Sequence, residues 1–467
     1  MDRTNPATGE SLDPVPDDSE EDVDAALDRA VETFEEWKDV PIRKRQELIA
    51  NAGEVLREND DEYAELMTRE MGKPIASSYA EVEKCAWVCD YYAERAAEHL
   101  QDERIGGESH AETYVTYEPL GPILAVMPWN FPFWQVFRFA APHVTAGNVG
   151  LLKHASNVPG CAQAIQEVFE EAGFPEGAFQ SLVVGSDRAE EVIEDDRVVA
   201  VTLTGSEAAG RSVAETAGRN LEKSVLELGG SDPFVVLDDA DLDSAAETGA
   251  LARTINSGQS CIAAKRFVVH ASVYDEFVEK FVAEMDALAV GDPTDEDTDF
   301  GPQAREDLLE DVHEQVQDTL DAGATLELGG EPMDREGFWY PPTVLTDVPR
   351  DSRAATEEVF GPAAAVFEVE DDEEAVEVAN DHHLGLGASV WTDDLDRGER
   401  LAHRLDAGMT FVNQLTKSDP RLPFGGVKDS GYGRELSRHG IREFVNRKTV
   451  WVQAAGASED DVDVVTE

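Results

Sequence analysis

Apolar residues recur at helical spacing through the first hundred residues of the chain. The first repeat opens at Ser19, and Asp22 occupies the matching position of a capping box. The apolar positions that then share one helical face are Val23, Leu27, Ala30, Phe34 and Trp37. Further amphipathic stretches cover 43–69 and 77–99, so the pattern predicts three helical stretches in this region.

From about residue 121 the pattern changes to short apolar runs separated by segments of helical length. The first five runs read PILAVMP, VGLLK, FQSLVVG, VVAVTLTG and KSVLELG. Such runs are typical of strands buried on both faces, so we expect a doubly wound parallel sheet of nucleotide-binding type. A second α/β series begins with PFVVLDD after Gly229 and Gly230, which predicts a domain boundary at 229/230.

Composition restricts the possible partners. The 467 residues carry a formal net charge of −61, and 41% of them are apolar, which is an ordinary globular fraction. Such a charge repels phosphate backbones, so neither a nucleic acid nor an anionic membrane is expected as a partner. Only 11 of the 38 basic residues are lysine. Acids spread over the whole chain favour adaptation to concentrated salt, the alternative being simply an acidic protein.

Cysteine usage and the apolar runs favour a cytoplasmic protein. Four cysteines are too few for a disulfide scaffold in a chain of this length, and the N-terminus has no apolar signal segment. Residues 119–137 are uncharged, but four prolines would break a membrane helix there, so we expect buried soluble backbone. Cys85 and Cys89 share a helical face and are interpreted as small core residues; no metal site is predicted.

A candidate phosphate site follows the run VVAVTLTG. The run ends at Gly205 and leads into Ser206 at a helix start, where free backbone N–H groups suit a pyrophosphate. The segment is neither a G-x-G-x-x-G fingerprint nor a P-loop, and many strand–helix junctions share its pattern. Taken alone, it leaves a nucleotide site and an ordinary junction both open.

Three polar residues in apolar surroundings form a candidate catalytic set. Cys261 follows Gly258 in NSGQSC, Glu227 ends an apolar run beside two glycines, and Asn130 lies between aromatic residues in PWNFP. A buried carboxylate or amide without a partner is costly, so such residues are rarely only structural. A thiol, a carboxylate and an amide donor are what acyl transfer through a thioester requires. No histidine lies in a catalytic-looking context near Cys261, which argues against a Cys–His hydrolase.

These residues belong to motifs that resemble the aldehyde dehydrogenase superfamily over almost the whole chain. The motifs occur in the family's order: NPATGE, PWNFP, Lys153, TGS, LELGG, GQSC, EEVFGP and PFGGVKDSGYGRE. The segments WNFPFWQVFRFAAP and KHASNVPGCAQ look most like shorter bacterial and archaeal succinate-semialdehyde dehydrogenases. The resemblance implies oxidation of an aldehyde to a carboxylic acid with NAD or NADP, the aldehyde being a short semialdehyde such as succinate semialdehyde.

The resemblance also implies roles for individual residues. Cys261 would attack the aldehyde, Asn130 would hold the oxyanion, and Glu227 would activate the water that hydrolyses the thioester. The residues implied in cofactor binding are Trp129, Lys153, Gly205, Ser206, Glu358 and Phe360.

The chain departs from the family pattern beside the ribose lysine. Ser156 stands where NAD-specific members often carry a glutamate, which leaves room for the 2′-phosphate of NADP. His154 replaces a common proline, with no effect predicted. Arg138 matches a carboxylate-binding arginine of related succinate-semialdehyde enzymes, although it would equally suit an ion pair with one of the many acids. Some relatives carry a second such arginine six residues before the nucleophile. This chain has Ile255 at that position, which weakens the dicarboxylate interpretation.

The implied fold is two doubly wound α/β domains with a small β oligomerisation arm. The expected divisions are a cofactor domain (1–107 and 121–229), a catalytic domain (230–435), an arm (108–120 and 441–455) and an acidic tail (456–467). The alternating segment AETYVTYEPLG fits a hairpin arm, so a homodimer or homotetramer is expected. Two alternatives stay open: a coenzyme A-acylating enzyme, disfavoured by an intact Glu227, and a retired enzyme, disfavoured because no catalytic residue is missing.

Overall fold

The computed structural model describes residues 1–105 and 111–453. Its helices are α1 (Glu20–Trp37), α2 (Ile42–Glu58), α3 (Asp60–Met71), α4 (Ile75–His99), α5 (Trp134–Ala146), α6 (Pro159–Glu171), α7 (Ser186–Ile193), α8 (Glu207–Asn220), α9 (Leu242–Thr254), α10 (Tyr274–Asp286), α11 (Glu306–Asp321), α12 (Arg353–Thr356), α13 (Asp372–Asn380), α14 (Leu395–Ala402) and α15 (Ser437–Ile441).

The strands are numbered in the same way. They are β1 (Arg3–Thr4), β2 (Ser11–Leu12), β3 (Glu103–Ile105), β4 (Ala111–Pro119), β5 (Pro122–Met127), β6 (Val149–His154), β7 (Phe179–Ser181), β8 (Ala200–Thr204), β9 (Lys223–Glu227), β10 (Asp232–Val236), β11 (Ala264–His270), β12 (Thr325–Leu328), β13 (Thr343–Thr346), β14 (Ala363–Val369), β15 (Leu384–Gly385), β16 (Gly387–Trp391), β17 (Met409–Val412), β18 (Val427–Lys428), β19 (Gly431–Tyr432) and β20 (Val445–Gln453).

The N-terminal helices follow the predicted periodicity with one exception. The capping box at the start of α1 is confirmed, because Ser19 and Asp22 each accept a backbone N–H of the other. The single stretch predicted over 43–69 is wrong: it is two helices, α2 and α3, that meet at Asn59. The Asn59 side chain donates to the Val55 carbonyl at 3.1 Å, which ends α2, and three acidic residues then open α3.

The first large sheet has the order β19-β9-β8-β5-β6-β7. Its strands are parallel except for the edge strand β19. The chain enters at β5, builds outward through β6 and β7, and then returns to the other side of β5 for β8 and β9. A ligand crevice is expected where the strand order reverses, beyond the carboxyl ends of β5 and β8.

The second large sheet has the order β12-β13-β14-β11-β10-β16-β17 and is parallel except for β12. It also winds in both directions, from β10. The prediction of two doubly wound α/β units is therefore confirmed. Strand β9 ends at Glu227 in one sheet and β10 begins at Asp232 in the other, so the predicted boundary at 229/230 lies in the link between them.

A separate antiparallel sheet has the order β20-β4-β3. Strand β4 pairs with β20 along its whole length, from Ala111 with Gln453 to Pro119 with Val445. The predicted arm segments 108–120 and 441–455 contain β4 and β20, whereas β3 lies in the span predicted for the cofactor domain. Residues 108–110 and 454–455, and the predicted acidic tail 456–467, lie outside the described residues.

Strand β19 lies within the predicted catalytic span but joins the first sheet. It pairs Gly431 with Glu227, which brings the end of the 423–435 motif beside the Glu227 carboxylate.

The uncharged segment 119–137 forms β5, a turn and the start of α5. None of the helices in the two described ranges has the length and apolar character needed to cross a membrane.

Candidate active site

The loop that carries Cys261 has an unusual backbone. After α9 the chain turns through Asn256, Ser257 and Gly258, which all have positive φ, at 55°, 56° and 79°. A Cβ on Gly258 would collide with the backbone of Gly361, so glycine is required there. Left-handed conformations are costly for the other two residues, and strain of this kind clusters at functional sites.

Buried side chains fix this loop in place. The ammonium of Lys265 donates to the Ser260 and Cys261 carbonyls, at 2.7 and 2.6 Å. Arg253 donates to the Gly258 carbonyl at 2.7 Å. Both cations are buried and donate hydrogen bonds to carbonyls of the loop. The neighbouring structure therefore fixes the position of the thiol.

As a residue, Cys261 is partly exposed, whereas the other three cysteines are buried. Burial of its sulfur raises the pKa of Cys261 to about 12, although Arg138 and Lys265 act to lower it. The resting side chain is therefore a thiol, and a proton must leave it before it becomes a strong nucleophile.

Asn130 lies in the turn after β5 and contacts the Cys261 loop. Its Nδ2 donates to the Gln259 carbonyl at 3.0 Å, which leaves a second amide hydrogen for a ligand. In return, the side chain of Asn256 donates to the Asn130 carbonyl at 2.7 Å. The Asn130 amide is thus hydrogen-bonded to the Cys261 loop and keeps one N–H without an acceptor in the residues that the structure describes.

His154 supports this turn, a role that the sequence did not indicate. Its Nε2 lies 2.9 Å from the Pro132 carbonyl, and its Nδ1 accepts the Ala155 N–H at 2.9 Å. Burial lowers the pKa of His154 to about 4, so the ring is neutral. His154 thereby fastens the end of β6 to the Asn130 turn.

Glu227 is buried at the end of β9. Neither of its carboxylate oxygens has a hydrogen-bond partner among the described residues. Burial raises the pKa of Glu227 well above its usual range, and Glu435 raises it further, against the opposing effect of Arg138 and Arg434. A buried carboxylate with free lone pairs and a raised pKa has the properties of a general base.

Arg138 forms an ion pair, as one of its two sequence interpretations proposed, and it also lines the cavity at Cys261. Its guanidinium forms an ion pair with Glu435, faces Thr204 at 3.4 Å and lies 4.3 Å from the centroid of the Phe424 ring. The pairing with Glu435 was not predicted, because Glu435 comes close to Arg138 only when strand β19 joins the first sheet.

The candidate cofactor residues of the first sheet lie at the carboxyl ends of β6 and β8, the edge of the sheet at which a ligand is expected. Ser206 caps α8 by accepting the Ala209 N–H at 3.3 Å, directly after Gly205. Lys153 lies near the end of β6, where burial lowers its pKa and Asp187 opposes that shift. Ser156 is exposed in the turn between β6 and α6. A helix N-terminus, a lysine and an uncharged position suit a phosphorylated dinucleotide.

The second sheet contributes residues from the opposite side. Glu358 accepts the Gly230 N–H at 3.1 Å and lies 3.3 Å from the Lys265 ammonium. A Cβ on Gly229 would collide with its carboxylate. The rings of Trp129 and Phe360 meet edge to face with their centroids 5.8 Å apart. The donors and aromatic rings of the two sides fit a nicotinamide dinucleotide lying between them.

The cavity beside Cys261 has a volume of about 230 Å³. Its charged lining comprises Lys73, Lys84, Arg138, Lys417 and Glu81. Of these residues, Arg138 alone was predicted from the sequence. The rarity of lysine in this chain was the available signal for the others, because three of its 11 lysines line this one cavity. No group of three His, Cys, Asp or Glu side chains in 1–105 and 111–453 could hold a metal ion.

Comparison with known proteins agrees with this arrangement. The model of the aldehyde dehydrogenase family matches residues 1–450. A probable succinate-semialdehyde dehydrogenase (NADP+) of Synechocystis is 54% identical, over 96% of this chain and 98% of its own. Succinate-semialdehyde dehydrogenase (NADP+) 1 of Mycobacterium tuberculosis is 52% identical, over 96% and 98%.

Solved structures give the same result. Succinic semialdehyde dehydrogenase from Streptococcus pyogenes, crystallised in complex with NADP+, superposes with a TM-score of 0.95 at 38% identity, covering 97% of this chain and 100% of that one. The fold, the aldehyde chemistry and the cofactor class implied by the sequence resemblance are confirmed. The chain belongs to the aldehyde dehydrogenase family and is an NAD(P)-dependent oxidoreductase that acts on an aldehyde.

Proposed function

We propose that this enzyme oxidises succinate semialdehyde to succinate, with NADP+ as the preferred cofactor. The observation that carries the proposal is the cavity at Cys261, where four cationic side chains and one carboxylate occur in a chain of net charge −61. Such a cavity attracts an anionic aldehyde. The names of the relatives from Synechocystis and Mycobacterium point to the same substrate.

The first step is addition of the thiol to the aldehyde. The Cys261 thiol gives its proton to water, its sulfur bonds to the aldehyde carbon, and the carbonyl oxygen becomes an oxyanion. The free hydrogen of the Asn130 amide and the Cys261 backbone N–H, which has no acceptor within the described ranges, are the proposed donors to it. Each such donor contributes about 3 kcal/mol to transition-state stabilisation in comparable sites.

When NAD(P)+ is bound, its nicotinamide would accept the hydride from the carbon bonded to Cys261, and Cys261 would then carry an acyl thioester. Lys153 and Glu358 are proposed to hold the two riboses, and Gly205 and Ser206 the pyrophosphate at the start of α8. Trp129 and Phe360 would form the wall of the nicotinamide side. Preference for NADP+ rests on Ser156, which brings no carboxylate to the 2′-phosphate.

Glu227 is proposed to complete turnover. Its carboxylate takes a proton from water, the hydroxyl adds to the thioester carbon, and the thiolate leaves as the acid is released. A free carboxylate in this position supports hydrolysis over transfer to coenzyme A. The presence of Cys261, Asn130, Glu227 and Lys153 likewise argues against a retired enzyme.

The domain division and assembly are proposals of the same kind. We assign 1–107 and 121–229 to cofactor binding and 230–435 to catalysis. The arm of 108–120 and 441–455, whose strands β4 and β20 lie in the β20-β4-β3 sheet, is assigned to contact with a second copy. Exposed Trp451 and Ile105 on that sheet support a homodimer or homotetramer. The expected compartment is the cytoplasm.

A panel of aldehydes assayed by NAD(P)H absorbance at molar salt tests the proposal. We expect the highest kcat/KM for succinate semialdehyde, above that for butanal, which has the same carbon number without the carboxylate. We also expect a higher kcat/KM with NADP+ than with NAD+. Equal values for the two aldehydes would refute the proposed substrate, and preference for NAD+ would refute the proposed cofactor.

A further inference from the structure

The buried cations of the Cys261 cavity differ in their partners. Lys73 forms an ion pair with Glu81, and Arg138 forms one with Glu435. Lys84, on α4, is partly buried and has no carboxylate oxygen within 4.0 Å anywhere in the described part of the chain, so no ion pair neutralises its charge.

Glu81 does not compensate for this. One of its oxygens accepts the N–H groups of Phe133 and Trp134, both at 2.9 Å, at the start of α5. Its other oxygen is bound to Lys73. Because the helix N-terminus and the lysine together neutralise it, the single carboxylate of the cavity does not cancel the charge of Lys84.

The surroundings of Lys84 orient its ammonium and leave it incompletely bonded. Its Nζ donates to the Ser418 hydroxyl at 2.7 Å and lies 4.5 Å from the centroid of the Trp134 ring. An ammonium has three donors, and the hydroxyl takes one of them. A desolvated cation with unused donors, opening into the cavity that holds the reactive thiol, is suited to an anionic ligand.

We propose that Lys84 is a specificity-determining residue, which binds the anionic group at the far end of the aldehyde while the carbonyl carbon reaches Cys261. The inference rests on the proposed function and adds a residue to it. Arg138 is less free for this task, because its Nε is bound to Glu435 and its Nη2 faces Thr204. Its charge still favours the bound anion.

The charge of Lys84 depends on several neighbours. The groups that face it are Arg138 on α5, Glu81 and Cys85 on its own helix, and Asp419 on the loop that carries Ser418. Burial, followed by the charge of Arg138, lowers the pKa of Lys84 to about 8, against the weaker opposing effect of the others. Since only the protonated amine attracts an anion, binding should weaken as the pH rises through that value.

The test compares Lys84→Met with Lys84→Arg, and uses Lys44→Met as the matched control. Lys44 is exposed on α2, so its replacement changes the net charge equally at a distance from the cavity. The readout is kcat/KM for succinate semialdehyde divided by kcat/KM for butanal. We expect Lys84→Met to lower this ratio about 30-fold, Lys84→Arg to retain most of it, and Lys44→Met to match the wild type.

A pH series supplies a second measurement. In the wild type the KM for succinate semialdehyde, relative to that for butanal, should rise above about pH 8, whereas Lys84→Arg should show no such rise. This comparison needs only the arginine variant and the wild type, so it decides the matter even where Lys84→Met does not fold.

The two proposals fail in different ways. A wild type that does not distinguish the two aldehydes refutes the proposed substrate. A wild type that prefers the semialdehyde, together with a Lys84→Met variant that keeps this preference and a KM ratio that is flat with pH, overturns the role of Lys84 while the proposed function stands.

Discussion

The cavity at Cys261 and the outer surface of the protein use charge in opposite ways. On the surface, arginines are surrounded by acids: Arg197 lies 2.7 Å from each of Asp24, Asp28 and Asp195. In the cavity, cations outnumber carboxylates. Surface charges are solvated and screened by salt, whereas three of the charged groups that line the cavity are buried: Lys73, Glu81 and Arg138. We therefore expect salt to govern the stability of the surface and to have little effect on the chemistry of the cavity.

Removing the thiol should have the largest effect and should affect only the cavity. We expect Cys261→Ala to reduce turnover at least about 10⁴-fold, since the proposed route has no other nucleophile. Cys89→Ala, which removes a buried thiol from α4, is the matched control and should remain active. Steady-state NADPH formation measures both, and an active Cys261→Ala enzyme would contradict the proposed mechanism.

Replacing the buried general base should have the next largest effect. We expect Glu227→Gln to slow steady-state turnover about 100-fold, while a burst of one NADPH per active site persists, because hydride transfer precedes hydrolysis. Rapid mixing separates the two phases. Loss of the burst together with turnover would argue against a role confined to hydrolysis.

The same variant carries a pH prediction. Because burial and Glu435 raise the pKa of Glu227, the base is protonated at low pH, and the wild-type steady-state rate should increase as it loses its proton. In Glu227→Gln that increase should be absent from the hydrolysis step. An identical pH profile in both proteins would show that another group supplies the base.

A carboxylate introduced at Ser156 should change the choice between NADP+ and NAD+. We expect Ser156→Glu to lower the ratio of kcat/KM for NADP+ over NAD+ roughly 10- to 100-fold, since a carboxylate there would oppose a 2′-phosphate. The control is Ser11→Glu, which adds the same charge to exposed strand β2. An unchanged ratio would indicate that the 2′-phosphate lies elsewhere.

Much of the fold was predictable because buried parallel strands leave a local signal. Strands β5, β6 and β8 coincide with continuous apolar runs, and each is buried at nearly every position. The break at Asn59 was missed because amphipathic helices lie on both sides of it. No change of period marked the point where the side-chain amide ends α2.

The candidate site was predictable only in part, for a related reason. Glu227 and Asn130 are polar residues at the ends of apolar runs, where the cost of burial points to function. Lys84 lies in an amphipathic helix and looks like any solvated lysine. Its place in the cavity depends on the packing of α4 against α5 and on Ser418, more than three hundred residues away in sequence. No local pattern could have shown that contact.

The smallest expected effect is that of salt on the melting temperature, which depends on the surface charges and not on the cavity. The melting temperature should fall progressively as NaCl is lowered from about 2 M to about 0.05 M, because the screening length grows and the excess carboxylates repel one another. Sucrose, which is excluded from the surface but carries no charge, should not replace the salt. The alkylation rate of Cys261 per folded molecule should stay nearly constant over the same series, since its neighbouring cations are buried. Full stability in dilute buffer would contradict salt adaptation, and a thiol reactivity that followed the salt would erase the distinction between the two regions.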